Sequence, residues 1–273
     1  MQSEMTAFFF YFQLIFFRKT LFFLKNKTYN FIIIVEDSIA IVICSRDNGE
    51  AKEKLINHIK KTSECNTHTF FMYNPDGVGL SEVYNKMLLE ENCDHDIIVF
   101  MHDDIEFLRK GWGREIIRLF NEHEDYGIIG VAGSAQFDNN GAWWQCEKRY
   151  GQVLHRHEGK SWLTAFSPLL ENDLQEVCVV DGLFMAVHRK RITKQFNEAY
   201  KFDYYDICFC LDNYIDNKTK IGVTTNIRIA HNSIGEMRES WYINREKVIE
   251  SYKNLLPIDI DAKHKNNEKI KDD

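Results

Sequence analysis

The chain has 273 residues, 44% of them apolar and 14% aromatic, which is enough to build a sizeable core without disulfides or a structural metal. Its formal net charge is −7, with no basic block outside the two ends, which argues against nucleic acid as a partner because phosphates demand clustered Lys and Arg. An acidic protein that handles anionic substrates usually brings a metal cation to them.

At the N-terminus, AFFFYFQLIFF (7–17) is shorter than the roughly 20 residues a bilayer span requires, and Arg18 and Lys19 interrupt the longer apolar stretch. It also lacks the basic residues before, and the small residues after, that a signal peptide carries. Two readings of residues 1–35 stand: a membrane-surface anchor making peripheral contact on the cytoplasmic face, or an extension ahead of the domain.

From residue 36 the pattern is orderly. SIAIVICS (38–45) predicts a buried strand ending in the polar SRDNGE, followed by a helix carrying Leu55, Ile56 and Ile59. THTFFMYN (67–74) predicts a second strand, and Ser81 an N-cap for a helix with Val83, Met87 and Leu88 on one face. DIIVFM (96–101) is a third strand, GWGREIIRLFNEHEDYG a helix, and IIGVAGS (128–134) a further strand. Strands alternating with helices imply βαβ crossovers, and continuous apolar strands imply a sheet covered on both faces. Ligands of such sheets bind outside the carboxyl ends of the strands, which puts SRD (45–47) and HDD (102–104) on one rim.

The second half changes character. Residues 139–162 carry three tryptophans, 143, 144 and 162, with little periodicity, and read as loops and short hairpins. EVCVVDGLFMAVHR (176–189) reads as a strand pair or one long strand interrupted by Asp181-Gly182, FDYYDICFCLDNYI (202–215) as a helix, and IGVTTNIRIAHNSIG (221–235) as a strand ending in His231 and a turn. The domain is expected to run from 36 to 256, with a charged, disordered tail over 257–273. The seven cysteines are scattered, several in apolar stretches and none in a CxxC pair, which fits a reducing cytoplasmic compartment better than a disulfide framework or zinc knuckle.

Four places carry titratable groups where a ligand would lie. Asp103 and Asp104 are either a solvated turn or oxygen donors for a hard divalent cation such as Mg²⁺ or Mn²⁺. His231 is either a structural histidine or a ligand at a strand end. Asp206, among aromatics, is either a general base with a raised pKa or a helix N-terminal carboxylate that the dipole favours. Asp181-Gly182 is a turn, or a place where backbone comes close to a ligand.

In chain order, IVICSRD, GLSEVYNKML, IIVFMHDDIEF, GIIGVAGS, VVDGLFMAVHR, FNEAYKFDYYDICFCL and IRIAHNSIG resemble the nucleotide-sugar-dependent glycosyltransferases of family 2, with the likeness running from about 38 to 236. The resemblance implies an α/β GT-A fold, a Rossmann-like, mostly parallel sheet with helices on both faces and a mixed acceptor-side half. It implies transfer of a sugar from a nucleotide-diphosphate donor, commonly UDP-linked, to a saccharide or lipid-linked acceptor, with inversion, as in polysaccharide biosynthesis. It further implies a Mn²⁺ or Mg²⁺ cofactor. The family's D-x-D slot reads His102-Asp103-Asp104, making Asp104 the expected metal ligand, with His102 in place of the first carboxylate and His231 completing the site. Asp206 inherits the catalytic base, although Tyr205 stands where the family has Glu. Ser45 and Asp47 match the nucleoside contacts, and Asn85, Asp103, Asp181 and Gly182 fall in segments lining the donor pocket. Two rival readings remain: a sugar nucleotidyltransferase, which would need a glycine-rich phosphate loop where SRDNGEAKEK stands, and an inactive GT-A domain acting as a binding module.

Overall fold

The run Ile39–Ile43 has no solvent-exposed surface at all, and this apolar stretch is a buried strand of the main sheet. The structure is a computed structural model that describes residues 21–25, 31–35, 38–216 and 219–262. A hairpin of strands β1 (Leu21–Lys25) and β2 (Phe31–Val35), antiparallel to each other, belongs to a unit of residues 1–38 that is separate from the rest of the chain. The apolar segment 7–17 lies outside the described residues.

In the main unit, β3 (Ser38–Ser45) leads into α1 (Glu50–Thr62), whose first turn holds Glu50 and Glu53 and whose last holds Lys60 and Lys61, in line with the helix dipole. β4 (Asn66–Tyr73), α2 (Leu80–Leu88) and β5 (Ile97–Met101) follow, and β5 lies parallel to β3. The helix starts one residue before Ser81, so Ser81 is not its N-cap. The Ser81 side chain is buried and donates instead to the carbonyl of Tyr200, while Gly79 precedes the helix because a Cβ there would stand 3.0 Å from Lys201.

Next come β6 (Ile105–Phe107), α3 (Trp112–Glu122), β7 (Tyr126–Gly130), β8 (Ala132–Ser134) and β9 (Gln136–Phe137). α3 seats itself through Trp112, whose ring stacks 3.9 Å from Phe107 and whose Nε1–H donates to Thr62 at 3.0 Å. After these run β10 (Arg149–His157), β11 (Lys160–Ala165), β12 (Gln175–Val177), β13 (Val179–Val180) and β14 (Phe184–His188). α4 (Tyr205–Ile215), β15 (Lys220–Val223), β16 (Ile229–His231), α5 (Glu239–Tyr252) and β17 (Ile258–Asp259) complete the order.

Seven strands form the main sheet in the order β12-β15-β7-β14-β5-β3-β4, and a second sheet runs β13-β8-β10-β16-β6 with β11 on β10. β3/β5 and β15/β7 are parallel, but β14 is inserted antiparallel between β5 and β7. The main sheet is therefore more mixed than a run of βαβ crossovers predicts.

Four times the chain leaves the main sheet for the second one: β5 to β6, β7 to β8, β12 to β13 and β15 to β16. This splits three segments that read as single strands, 128–134, 176–180 and 221–231. Small residues permit the switches, since a Cβ on Gly133 would stand 2.2 Å from the Val179 carbonyl. The tail expectation is also corrected in part. Ile258 and Ile260 are buried, β17 pairs with β9, and Lys148 Nζ meets Asp259 at 2.8 Å and Asp261 at 2.6 Å. Alternation of apolar and acidic residues is what docks this segment. Residues 263–273 lie outside the described ones.

Candidate active site

The parallel register Ile43↔Met101 brings the carboxyl ends of β3 and β5 to one edge, so Ser45 and Asp103 emerge side by side. The Ser45 hydroxyl donates to the Asp103 carboxylate and accepts the Asp47 N–H at 3.0 Å. They border a cleft of about 690 Å³, within the range of small-molecule sites. Arg46 and Arg238 line it together with the acidic Asp203 and Glu236, and His102 and His157 are also in its wall.

His102, Asp103 and Asp104 are the three residues by which the chain crosses from β5 to β6. On the second sheet, β16 runs antiparallel to β6 with Ile105 opposite His231, which draws His231 to Asp104. Asn232 secures the crossing by donating its backbone and side-chain N–H to the Asp104 carbonyl, at 2.9 and 3.0 Å. One ligand atom from each of His102, Asp104 and His231 lies within 4.8 Å of the others. His231 Nε2 is 3.3 Å from Asp104 Oδ1, close enough to attract but not aligned for a hydrogen bond, and Oδ1 is buried without one.

Burial opposes charge on Asp104, yet the adjacent His231 outweighs it and holds the carboxyl at about 2. Burial would lower the His231 pKa, but Asp104 raises it. For His102 burial prevails over the nearby carboxylates and lowers the pKa, favouring the neutral ring that can ligate a metal. Two imidazoles and the ionised Asp104 carboxylate, whose buried Oδ1 lacks a hydrogen bond, fit Mn²⁺, which accepts nitrogen as well as oxygen donors.

Beside this trio, Gly182 forms the crossing point of three elements. Its N–H donates to Asp206 Oδ2 at 2.7 Å, and its carbonyl accepts from the Tyr205 hydroxyl at 3.2 Å. α4 begins here because Tyr204 takes a left-handed conformation, φ 66°, which turns the chain so that Tyr205 and Asp206 both face Gly182. Burial, then the charge of Asp181, pushes Asp206 up to about 7. Such a carboxylate is tuned to accept a proton near neutral pH.

A family model described as "Glycosyltransferase like family" matches residues 40–253, most of the chain. The chain belongs to this glycosyltransferase-like family. No curated protein sequence matches it. Among solved structures, GalNAc-T7 with UDP, GalNAc and Mn²⁺ aligns with 79% of this chain and 48% of its own, at 8% identity and a TM-score of 0.52. The chain thus spans about half the length of that structure and shares its GT-A fold. A mannosyltransferase from Pyrobaculum calidifontis, solved with GDP-Man and Mn²⁺, aligns at 8% identity over 88% of this chain and 68% of its own, with a TM-score of 0.46.

Within this glycosyltransferase domain the expected site residues divide. Ser45, His102 and Asp103 line the cleft. Asp104 and His231 adjoin it through His102 and Ser233, whose hydroxyl is 3.1 Å from His231 Nε2. Asp181 Oδ1 accepts the Leu183 N–H at 3.0 Å, and Asp206 accepts N–H groups from Gly182 and Ile207; neither is part of the cleft wall. The Asp47 carboxylate caps Gly49 at 2.8 Å. Asn85 stands apart from the cleft: its amide accepts the Phe196 N–H at 2.8 Å and donates to the Phe196 carbonyl at 2.9 Å, so it pins the 196–198 segment. Trp143 is buried against Phe166 and Trp144 packs on Trp241, which leaves Trp162, stacked on His155, as the exposed ring of the three.

One neighbour of the site escaped sequence reasoning. His155 sits opposite His231 on β10, with a buried Nδ1 that lacks a hydrogen bond, in a segment without periodicity. Tyr205 did carry a signal, being the second departure from the family pattern beside that of His102.

Proposed function

We propose that this chain transfers a sugar from a nucleoside diphosphate donor, UDP-linked in the first instance, to a hydroxyl of a saccharide or lipid-linked acceptor. The observation that carries the reading is the convergence of Asp104, His231 and His102 beside a cleft that Arg46 and Arg238 also line. The fold shared with GalNAc-T7, a protein solved with UDP and Mn²⁺, supports it.

Asp104, His231 and His102 would hold the cation, with Mn²⁺ favoured over Mg²⁺ by the two imidazoles. When bound, the cation supplies Lewis-acid neutralisation of the leaving diphosphate. Arg46 and Arg238 add positive charge toward the phosphates, and Ser45 with Asp103 offers hydrogen-bonding oxygens to the nucleoside. Asp206 takes the acceptor proton on a carboxylate oxygen, and a single base opposite the leaving group gives inversion. One observation favours the second reading, a binding module: Asp206 is not part of the cleft wall.

Asp104→Ala decides between outcomes. Donor hydrolysis and transfer are expected to require Mn²⁺ in the native protein and to vanish in the variant. Unchanged turnover would overturn the metal assignment, and native protein that binds the donor without turning it over would be the binding module.

A further inference from the structure

His102 replaces a carboxylate at the metal slot and Tyr205 replaces one beside the base, and the two replacements touch. His102 Nε2 lies 3.3 Å from the Tyr205 hydroxyl oxygen. That hydroxyl has one proton, and it is directed to the Gly182 carbonyl at 3.2 Å. With that proton on the Gly182 carbonyl, the tyrosine oxygen offers its lone pairs to the imidazole, which then donates from Nε2. A neutral ring that carries its proton on Nε2 has its lone pair on Nδ1.

We propose that Tyr205 is a positioning residue for the cation site: it locks His102 in the Nε2–H tautomer and reserves Nδ1 for the divalent cation. The inference rests on the metal-dependent reading above. The geometry is rigid on both sides. Tyr205 is buried, its ring packs edge-on to Tyr84 at 5.8 Å, and the His102 backbone N–H is held by the Leu183 carbonyl at 3.0 Å. Ring nitrogens opposite a ligated one are commonly fixed by such a hydrogen bond, and its loss lowers metal affinity roughly 10- to 100-fold. The pair also explains why two departures coexist: a carboxylate at 205 would accept the same proton, while the tyrosine does so without adding charge next to Asp206.

The test compares wild type, Tyr205→Phe and Tyr204→Phe. Tyr204 is a control, a buried tyrosine whose hydroxyl likewise donates to a glycine carbonyl, Gly141 at 2.9 Å. Mn²⁺ affinity is measured by calorimetry on the full chain, without donor. Tyr205→Phe is expected to bind Mn²⁺ roughly 10- to 100-fold more weakly, with Tyr204→Phe unchanged. Equal affinity in wild type and Tyr205→Phe overturns the proposal, and absence of Mn²⁺ binding in wild type overturns the functional reading beneath it. Nitrogen NMR of ¹⁵N-histidine-labelled metal-free protein, with the His102 signals identified by their loss in His102→Gln, reads the tautomer even if Tyr205→Phe fails to fold. A pyrrole-type Nε2 and pyridine-type Nδ1 support the assignment, and the reverse pattern sinks it.

Discussion

A single methyl group on Gly182 would stand 2.3 Å from the Tyr205 hydroxyl oxygen and 3.0 Å from Asp206 Cβ. Gly182→Ala must therefore push α4 away from the 181–182 turn, costing about 1–3 kcal/mol of stability through overpacking and displacing the base. A lower melting temperature together with a reduced kcat is the expected result; unchanged kcat would show that Asp206 need not be held there. Asp206 is itself the source of a pH dependence. Burial and then Asp181 raise its pKa from 3.8 to about 7. Because a base acts in its ionised form, kcat/KM should rise with pH to a plateau, with a midpoint near 7, and Asp206→Asn should lose roughly 10²- to 10⁴-fold in rate along with that limb. A profile already flat from pH 5 would contradict the role. The same shift means that the native state keeps a proton which the unfolded chain releases between about pH 4 and 7, so this group's contribution to stability falls as pH rises through that window. At this scale, Asp104 and His231 were legible because each ends an apolar run that has to be a strand. The His102–Tyr205 contact spans 103 positions and leaves no local pattern, though its two ends were visible as departures.

At the scale of elements, the chemistry follows from the switches between sheets. Strand β5 delivers His102 and Asp103 to the rim, and the crossing to β6 places Asp104 beside the end of β16. The strands and helices of the first half were readable from their periods, because each buries a face set by local sequence. The antiparallel insertion of β14 and the splitting of 221–231 were not, since sheet order depends on partners far away in the chain. The same reason hid the docked end of the chain, where only alternate residues are apolar. Ile260 is 2% exposed on this segment, whereas Ile243 on α5 is 50% exposed. Ile260→Ala is expected to cost about 2–5 kcal/mol in denaturant unfolding, and Ile243→Ala well under that. Equal, small effects would mean that the 258–262 segment does not hold the domain together.

For the whole molecule, the acidic balance and the cleft chemistry belong together. A chain of net charge −7 places Arg46 and Arg238 among Asp103, Asp203 and Glu236 in the wall of the cleft, beside the Asp104 and His231 side chains. Such a mixed lining suits a diphosphate that arrives with its cation better than a bare polyanion. Among the described residues no helix is long and apolar enough to cross a membrane, and peripheral contact through residues 1–35 stands as a proposal. Asp104, His231 and His102 are proposed to hold the cation that neutralises a nucleoside diphosphate. Crystals grown with UDP and Mn²⁺ and measured at the manganese edge test this most directly. One anomalous peak among the three side chains, touching the diphosphate, is the predicted result; a peak elsewhere, or UDP bound with no peak, would contradict it.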